Sequence, residues 1–473
     1  MDHLLPCHRD ASPLKIFKKI HKICALKSVI PDTKLDELND DCLAHIFEML
    51  ENIYDLYNIV CTSSRFQNVL PLISNRKFSL TVTNVTAINL KHFLQTIGIQ
   101  IRSLYVPISE RNQSSVDIIE FLEMVQNYCP KLKSLTMKKW SHLNFNRFKP
   151  LLKRLKTLSL DECDYTEIND LLNRRFVIEP SSWVEQPFPL SSSLQTSSGM
   201  SDLISLTTLK LHRCKGFRPD SFQEFLQQNG NLIELSLFAL VDFKNSDADE
   251  YFFNGIAQYL QDIETMSIDV NTTSHIQFIA KLPKLRCLRL FDYSVYNDRI
   301  VDCLLRKLGD IKNIEELDLY HCNLGMHSYR VISQLHKLHT LKLRKNFWVT
   351  DQHLQTLNLM PSLKTVCCFD NIILSDEGLM SLVRMSPNLT KLDCSWCFQV
   401  TNRTIHDIQH LFCQESSRPK LDILVGGRSK ITESVLNDIS RDRISIIFDP
   451  NMPITCIIQN SFCLNCTSKA TME

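Results

Sequence analysis

Cysteine pairs with the spacing of zinc ligands are the residues here that could most readily do chemistry. Cys394 and Cys397 form one CxxC pair, and Cys463 and Cys466 form another. Zinc needs four ligands, and no histidine follows His410, so the second pair lacks a complete set. Motifs of phosphate-binding loops (GxGxxG, GxxxxGK), metalloproteases (HExxH) and serine hydrolases (GxSxG) are missing. We therefore expect no catalytic residue, no metal and no cofactor.

A nine-residue unit, L-x-x-L-x-L-x-x-C/N, recurs along the chain and places four of its 18 cysteines at the last position of the unit. If the second apolar position is the marker, successive copies are 22 to 32 residues apart, except for one step of 51 residues. That period is typical of leucine-rich repeats, which take about 20–29 residues each. The markers are Leu104, Leu135, Leu158, Leu209, Leu235, Met266, Leu288, Leu317, Leu341, Val366, Leu392 and Leu424.

Each unit predicts a strand, a turn and a helix. The L-x-L core predicts a short strand of a parallel sheet, with both leucines on one side. Helix-capping residues such as Thr350, Ser375 and Thr401 begin the second half. The residue that ends the unit is expected to bond backbone groups where the chain turns inward; these residues are Cys163, Cys214, Asn271, Cys322, Asn346, Asn371 and Cys397.

Over residues 76–449 this pattern resembles the cysteine-containing subfamily of leucine-rich-repeat proteins. The resemblance implies an α/β solenoid of about twelve repeats, with parallel strands on the concave face and helices on the convex face. Repeat arrays of this kind expose a long surface that suits protein partners. A Ser/Pro-rich insertion at 176–202 occupies the long step and is expected to be a dispensable surface loop.

Residues 32–75 depart from the repeat and predict two short helices. Asn39 or Asp40 is expected to cap the first helix, and Asp55 the second. The module is too short to bury a core alone, so its apolar face implies a partner. It resembles an F-box, with Asn39 in place of the usual proline and Phe66 in place of a late tryptophan. The predicted adaptor-binding residues are Leu38, Leu43, Ile46, Phe47, Leu50, Leu56 and Val60.

The F-box resemblance implies a substrate-recognition subunit of a Skp–cullin–F-box ubiquitin ligase. The F-box would dock a Skp-type adaptor, and through it a cullin–RING ligase, while the repeats bind a protein substrate for ubiquitination. The chain itself would be a non-catalytic adaptor. Two alternatives stay open, namely a leucine-rich-repeat scaffold or inhibitor outside any ligase, and an enzyme whose site has no recognisable motif.

The overall composition limits the classes of partner and the cellular locations that we expect. Lys and Arg total 53 against 52 Asp and Glu, which gives none of the basic excess expected of nucleic-acid binders. No apolar run reaches the roughly 18 residues of a membrane span, and lysines interrupt the N-terminal segment, so a cytoplasmic or nuclear location is expected. Residues 1–31 are interpreted as a mobile basic segment and 450–473 as a C-terminal tail.

The predicted substrate surface lies on the concave face of the strands. Side chains that alternate with the core leucines point to that face, and their two columns contain aromatic residues and alternating charges. Aromatic residues and arginine are common at binding hot spots. The predicted substrate-binding residues are Arg289, Phe291, Asp318, Tyr320, Lys342, Arg344 and Phe369.

Overall fold

The structure is a computed structural model. It describes residues 37–50, 53–73, 78–81, 87–107, 118–139, 148–163, 206–214, 226–227, 229–238, 246–270, 276–292, 298–308, 313–427, 429–437 and 442–449. The basic segment at 1–31, the insertion at 176–202, Asn271 and the tail at 450–473 lie outside these residues.

The N-terminal part is a module of three helices: α1 (Asp40–Glu48), α2 (Ile53–Val60) and α3 (Ser64–Val69). Asn39 caps α1, as predicted, because its side chain accepts a hydrogen bond from the Cys42 amide at 2.8 Å. The prediction that Asp55 caps the second helix is wrong, since α2 begins at Ile53 and Asp55 lies in its first turn. A hydrophobic centre holds the three helices together, where the Phe47 and Phe66 rings meet edge to face at 5.7 Å.

The chain divides into two compact units, the first formed by Met1–Glu234 and Ala239–Ala248. After the helical module, its strands follow one another in sheet order and pair in parallel. Helices lie between most of these strands in the sequence. Its elements are β1 (Phe78–Thr81), α4 (Ala87–Ile97), β2 (Ile101–Pro107), α5 (Ile118–Tyr128), β3 (Ser134–Lys138), α6 (Lys149–Arg154), β4 (Thr157–Asp161) and β5 (Thr208–His212).

The second unit comprises Leu235–Phe238 and Asp249–Glu473. Its strands are also neighbours in chain order, and β7 to β14 pair in parallel. Its elements are β6 (Glu234–Phe238), α7 (Ser246–Tyr259), β7 (Thr265–Asp269), β8 (Cys287–Phe291), α8 (Asp298–Leu308), β9 (Glu316–Tyr320), α9 (Met326–Ser333), β10 (Thr340–Arg344), α10 (Asp351–Gln355), β11 (Thr365–Cys367), α11 (Asp376–Met385), β12 (Lys391–Asp393), α12 (Asn402–Gln414), β13 (Leu421–Gly426) and β14 (Ile444–Asp449).

The fold is an α/β leucine-rich-repeat solenoid, as predicted, because each repeat adds one parallel strand beside the previous one. The marker residues align in register; for example, Leu288, Leu317 and Leu341 are cross-strand partners and are fully buried. The last marker was placed one residue late: Leu392 pairs with Ile423, and Leu424 lies on the other side of β13. Strands β1 and β14 extend the sheet beyond the twelve marked repeats.

The residues that end each unit act as predicted wherever the structure describes them. The Asn371 amide donates to the carbonyls of Leu343 and Cys368 at 2.7 and 2.8 Å, and its oxygen accepts from the Asn346 amide at 2.9 Å. In other repeats a thiol makes the same link, as between Cys397 and the Cys368 carbonyl at 2.9 Å. These side chains therefore satisfy buried backbone groups between successive repeats.

Candidate protein-binding surfaces

The helical module is fixed to the first repeat of the same unit. The Tyr57 hydroxyl and the His92 Nδ1 are 2.8 Å apart, and the Phe93 ring packs 4.8 Å from the ring of Tyr57. The Gln100 side chain donates a hydrogen bond to the Leu70 carbonyl. The repeats therefore supply much of the surface that the module needs, and its apolar face does not by itself require a partner.

Five of the seven predicted adaptor-binding side chains are buried within the chain. Their exposed fractions are at most 3%, whereas Leu38 and Ile46 are half-buried. Sequence reasoning could not separate the two groups, because a face that is apolar by pattern can be covered by the chain or by a partner. The buried residues are Leu43, Phe47, Leu50, Leu56 and Val60.

A partly exposed stripe runs along one flank of α1. Cys42, Ile46 and Met49 have four- and three-residue spacing, which places them on one side of the helix. Cys42 is exposed, and Ile46 and Met49 are half-buried. Arg65 of α3 holds the start of this helix through Asp40 at 3.0 Å. The stripe is thus accessible on a fixed helix, and Cys42 and Met49 were missed because they match no position of the F-box pattern.

The aromatic column of the second unit is buried, which contradicts the expectation that it faces solvent. Phe291, Tyr320 and Phe369 are 1%, 5% and 4% exposed, and Phe238 is 7% exposed. Their rings pack along the sheet, with centroids 5.0 Å apart for Phe238 and Phe291 and 5.8 Å apart for Phe291 and Tyr320. These side chains stabilise the array and leave little surface for a partner.

The charged residues on the outer side of β8, β9 and β10 pair diagonally, between positions that are two residues apart in register. Lys342 and Arg289 both approach the same Glu316 oxygen, at 2.8 and 3.6 Å. Arg344 holds Asp318 through two nitrogens, at 2.5 and 3.0 Å. We call Arg289, Glu316 and Lys342 the basic row, because two cations share one carboxylate there.

The electrostatics of these groups follow from burial and charge together. Burial opposes ionisation of Glu316, but Lys342 and Arg289 outweigh it and lower the pKa of this carboxyl. Burial likewise opposes the charge on Arg344, yet Asp318 raises the pKa of its guanidinium. Asp318 is only 2% exposed, so its pair with Arg344 is internal, whereas the Lys342 and Arg289 side chains are 31% and 21% exposed. The basic row is therefore the more accessible part of the predicted surface.

The cysteines near the end of the array form part of the core. Burial raises the pKa of Cys397 to about 12, and it raises the pKa values of Cys368 and Cys394 well above the usual range. A protonated thiol is a poor nucleophile and a poor zinc ligand. The pair Cys394 and Cys397 is thus structural, and no group of three or more metal-binding side chains occurs among the residues that the structure describes. The second CxxC pair lies outside them.

Comparison with known proteins gives structural similarity at low sequence identity. A chain of the yeast Rad7 and Elc1 complex aligns at 16% identity over 92% of this chain and 98% of that chain, with a TM-score of 0.46. An internalin (inlF) from Listeria monocytogenes aligns at 15% identity over 84% of this chain and 94% of that chain, with a TM-score of 0.41. No protein-family model and no curated protein matches the sequence. Similarity at this level transfers no function.

Among the helices in the described part of the chain, none combines the length and the apolar character that crossing a bilayer requires.

Proposed function

We propose that this chain is the substrate-recognition subunit of a Skp–cullin–F-box ubiquitin ligase. The helical module acts as an F-box that docks a Skp-type adaptor, and the repeats hold a protein substrate. The observation that carries the proposal is the partly exposed stripe of Cys42, Ile46 and Met49 on a helix that is fixed to the repeat array. A helical module that only capped the solenoid would need a polar outer face, so an apolar stripe that stays accessible supports a partner at this site.

The adaptor contact is tested by capture of a purified Skp-type adaptor with the full chain. The double variant Ile46→Glu, Met49→Glu places two charges on the stripe and is expected to weaken capture by at least about tenfold, or 1.4 kcal/mol. The matched control Gln67→Glu adds a charge at an exposed position of α3 and is expected to capture normally. Capture by the double variant at the level of the control, with both folded by circular dichroism, would favour a scaffold outside any ligase.

Truncation of the buried residues would be a poor test. Phe47 is fully buried and Leu50 is 3% exposed, so alanine at either position leaves a cavity that costs about 2–5 kcal/mol. Lost capture would then report an unfolded module and not a lost contact. The exposed stripe avoids this ambiguity, because its side chains make fewer internal contacts.

For the substrate, we propose that contact centres on the basic row. Two cations sharing one carboxylate leave a net positive charge at Arg289 and Lys342, which favours an acidic segment of the partner. The variant Arg289→Gln, Lys342→Gln is expected to lose substrates from affinity capture with mass spectrometry while keeping the adaptor. Arg306→Gln, Arg330→Gln removes two exposed charges from helices and is the control. An unchanged set of partners for the first variant would place the substrate elsewhere.

A further inference from the structure

The second unit carries apolar side chains along one edge of the sheet, where strands end and the chain turns toward the next helix. These side chains occupy the first and second places after the turn residues Asn346, Asn371 and Cys397. Ile372 and Ile373 are 40% and 41% exposed, and the three aromatic members are half-buried. We call this set the apolar ridge, and its members are Phe347, Trp348, Ile372, Ile373 and Phe398.

Packing of the core does not require apolar residues at these places. The third residue after each turn fills the core, since Val349, Leu374 and Val400 are at most 2% exposed. The two places before it also accept polar residues, such as Asn323 in the repeat before the ridge and Gln399 at its end. Single apolar residues at a protein surface are ordinary, but exposed ones in consecutive repeats form a patch, which is typical of a contact site.

The ridge continues from one repeat to the next without a gap. The Lys345 amide donates to the Phe369 carbonyl at 2.9 Å, and the Asp370 amide donates to the Ser395 carbonyl at 3.0 Å. The repeats therefore keep the spacing of the sheet, about 4.8 Å, up to the turn. An α-helix advances about 5.4 Å per turn, whereas same-side residues of an extended chain are about 6.6 Å apart. A helix along the ridge thus places one turn against each repeat.

A lysine lies beside the first repeat of the ridge. Lys345 is half-buried two positions before Phe347, and its Nζ is 5.8 Å from the centre of the Tyr320 ring. The nearby cations Lys342 and Arg344 each have a carboxylate partner, whereas Lys345 forms no ion pair with any residue that the structure describes. An acidic side chain of a partner would supply the missing opposite charge at this end of the ridge.

We propose that the apolar ridge docks an amphipathic α-helix of another protein, with acidic residues of that helix beside Lys345. Such helices bind through apolar residues at three- and four-residue spacing, and tryptophan is common at binding hot spots, so Trp348 is the expected anchor. Asp370 stands in the next repeat at the place equivalent to Lys345, so the acidic residues belong at the Lys345 end. This contact needs no adaptor, and its test is therefore independent of the ligase proposal.

The proposal is tested with the full chain and three labelled synthetic peptides of about five helical turns each. The acidic peptide has leucines at three- and four-residue spacing and glutamates at one end. The basic peptide has lysines in place of the glutamates, and the scrambled peptide has the acidic composition in a different order. Fluorescence anisotropy measures binding, and we expect the acidic peptide to bind at least about tenfold more tightly than the scrambled one.

Substitutions in the chain locate the contact. Ile372→Glu, Ile373→Glu is expected to weaken binding of the acidic peptide by at least about tenfold, because two charges would be buried against its leucines. Asn358→Glu, Leu359→Glu is the matched control, because it adds the same charges at exposed positions between α10 and β11. Lys345→Glu is expected to weaken the acidic peptide by about two- to fivefold and to remove its advantage over the basic one.

The outcomes separate the possible occupants of the ridge, with circular dichroism to show that each variant is folded. Absent binding of the acidic peptide, equal binding of the scrambled one, or binding by the ridge variant at the level of the control would overturn the proposal. A preference for the acidic peptide that survives Lys345→Glu would also overturn it. So would a dimer of the chain that Ile372→Glu, Ile373→Glu dissociates in sedimentation, because a second copy would then occupy the ridge.

Discussion

Arg418 offers a sharp test of how successive repeats are joined. It is 6% exposed, and its guanidinium donates to the carbonyls of Val383 and Ser386 at 3.0 and 3.2 Å, with a longer contact of 3.4 Å to Arg384. The Val383 and Arg384 carbonyls lie in the last turn of α11, and Ser386 follows the helix. The amides of Ser386 and Leu389 also donate to the Val383 and Ser386 carbonyls at 3.2 Å, so Arg418 is a second donor at both. A side chain from the next repeat therefore completes the end of the helix before it.

The expected effect of Arg418→Ala follows from those bonds. Hydrogen bonds from a charged donor contribute about 1.5–3 kcal/mol each, and two such bonds are lost. Because both carbonyls keep a backbone donor, we expect the lower end of the sum, a fall of about 3 kcal/mol in the free energy of unfolding. Denaturant unfolding measures the loss, and hydrogen exchange should show the earliest opening in α11. Arg403→Ala is the control, because that side chain is 67% exposed and its pair with Asp407 contributes little. A loss for Arg418→Ala no larger than that of the control would refute this role.

Two further predictions concern buried groups. Burial lowers the pKa of His212 to about 3, against the raising effect of Asp161, so the folded chain loses stability as pH falls from about 6.5 toward 3. His212→Gln should reduce this acid sensitivity in denaturation measured across that range, and an unchanged pH dependence would contradict it. In Gly378→Ala, the new methyl group would meet the Asp351 carboxylate, which accepts hydrogen bonds from the amide and the hydroxyl of Ser375 at 3.0 and 2.6 Å. Thermal or denaturant unfolding should show a loss of about 1–3 kcal/mol, whereas stability equal to wild type would mean that the carboxylate moves without cost.

The sequence predicts the repeat architecture well because the residues that must be buried recur at a regular spacing. Leu288, Leu317 and Leu341 lie where the spacing places them, since any shift of one residue would turn a leucine out of the core. The error at β13 has the same origin. Its sequence Leu421-Asp-Ile-Leu-Val contains three adjacent apolar residues, and packing decides that Ile423 faces the core, which no local pattern reports.

The candidate surfaces are less predictable, because exposure depends on residues that belong to other repeats. Phe47 and Ile46 are neighbours in one apolar pattern, yet the first is buried against Phe66 and the second is half-buried. The alternation rule places Arg289 and Lys342 on the outer side correctly, but their pairing with Glu316 depends on side-chain reach across two strands. Charge and hydrophobicity along the chain thus identify the faces, while three-dimensional packing decides which part stays accessible.

The backbone has an unusual conformation at the residue that follows the aromatic column. In several repeats this next residue has a positive φ, for example 58° at His321, 53° at Lys345 and 63° at Trp396. That conformation costs an ordinary residue about 1–2 kcal/mol.

The same backbone conformation accompanies contacts with the preceding repeat. Lys345 Nζ lies 5.8 Å from the Tyr320 ring, and the Trp396 ring lies 6.5 Å from that of Phe369. Gly427 takes the equivalent place after β13 with a φ of 65°, and a β-carbon there would strike Trp396. At Tyr320 and Phe369 the next repeat thus covers the aromatic side chain. An aromatic residue at this position of the unit therefore predicts core packing, and partner binding is better sought in the charged row beside it.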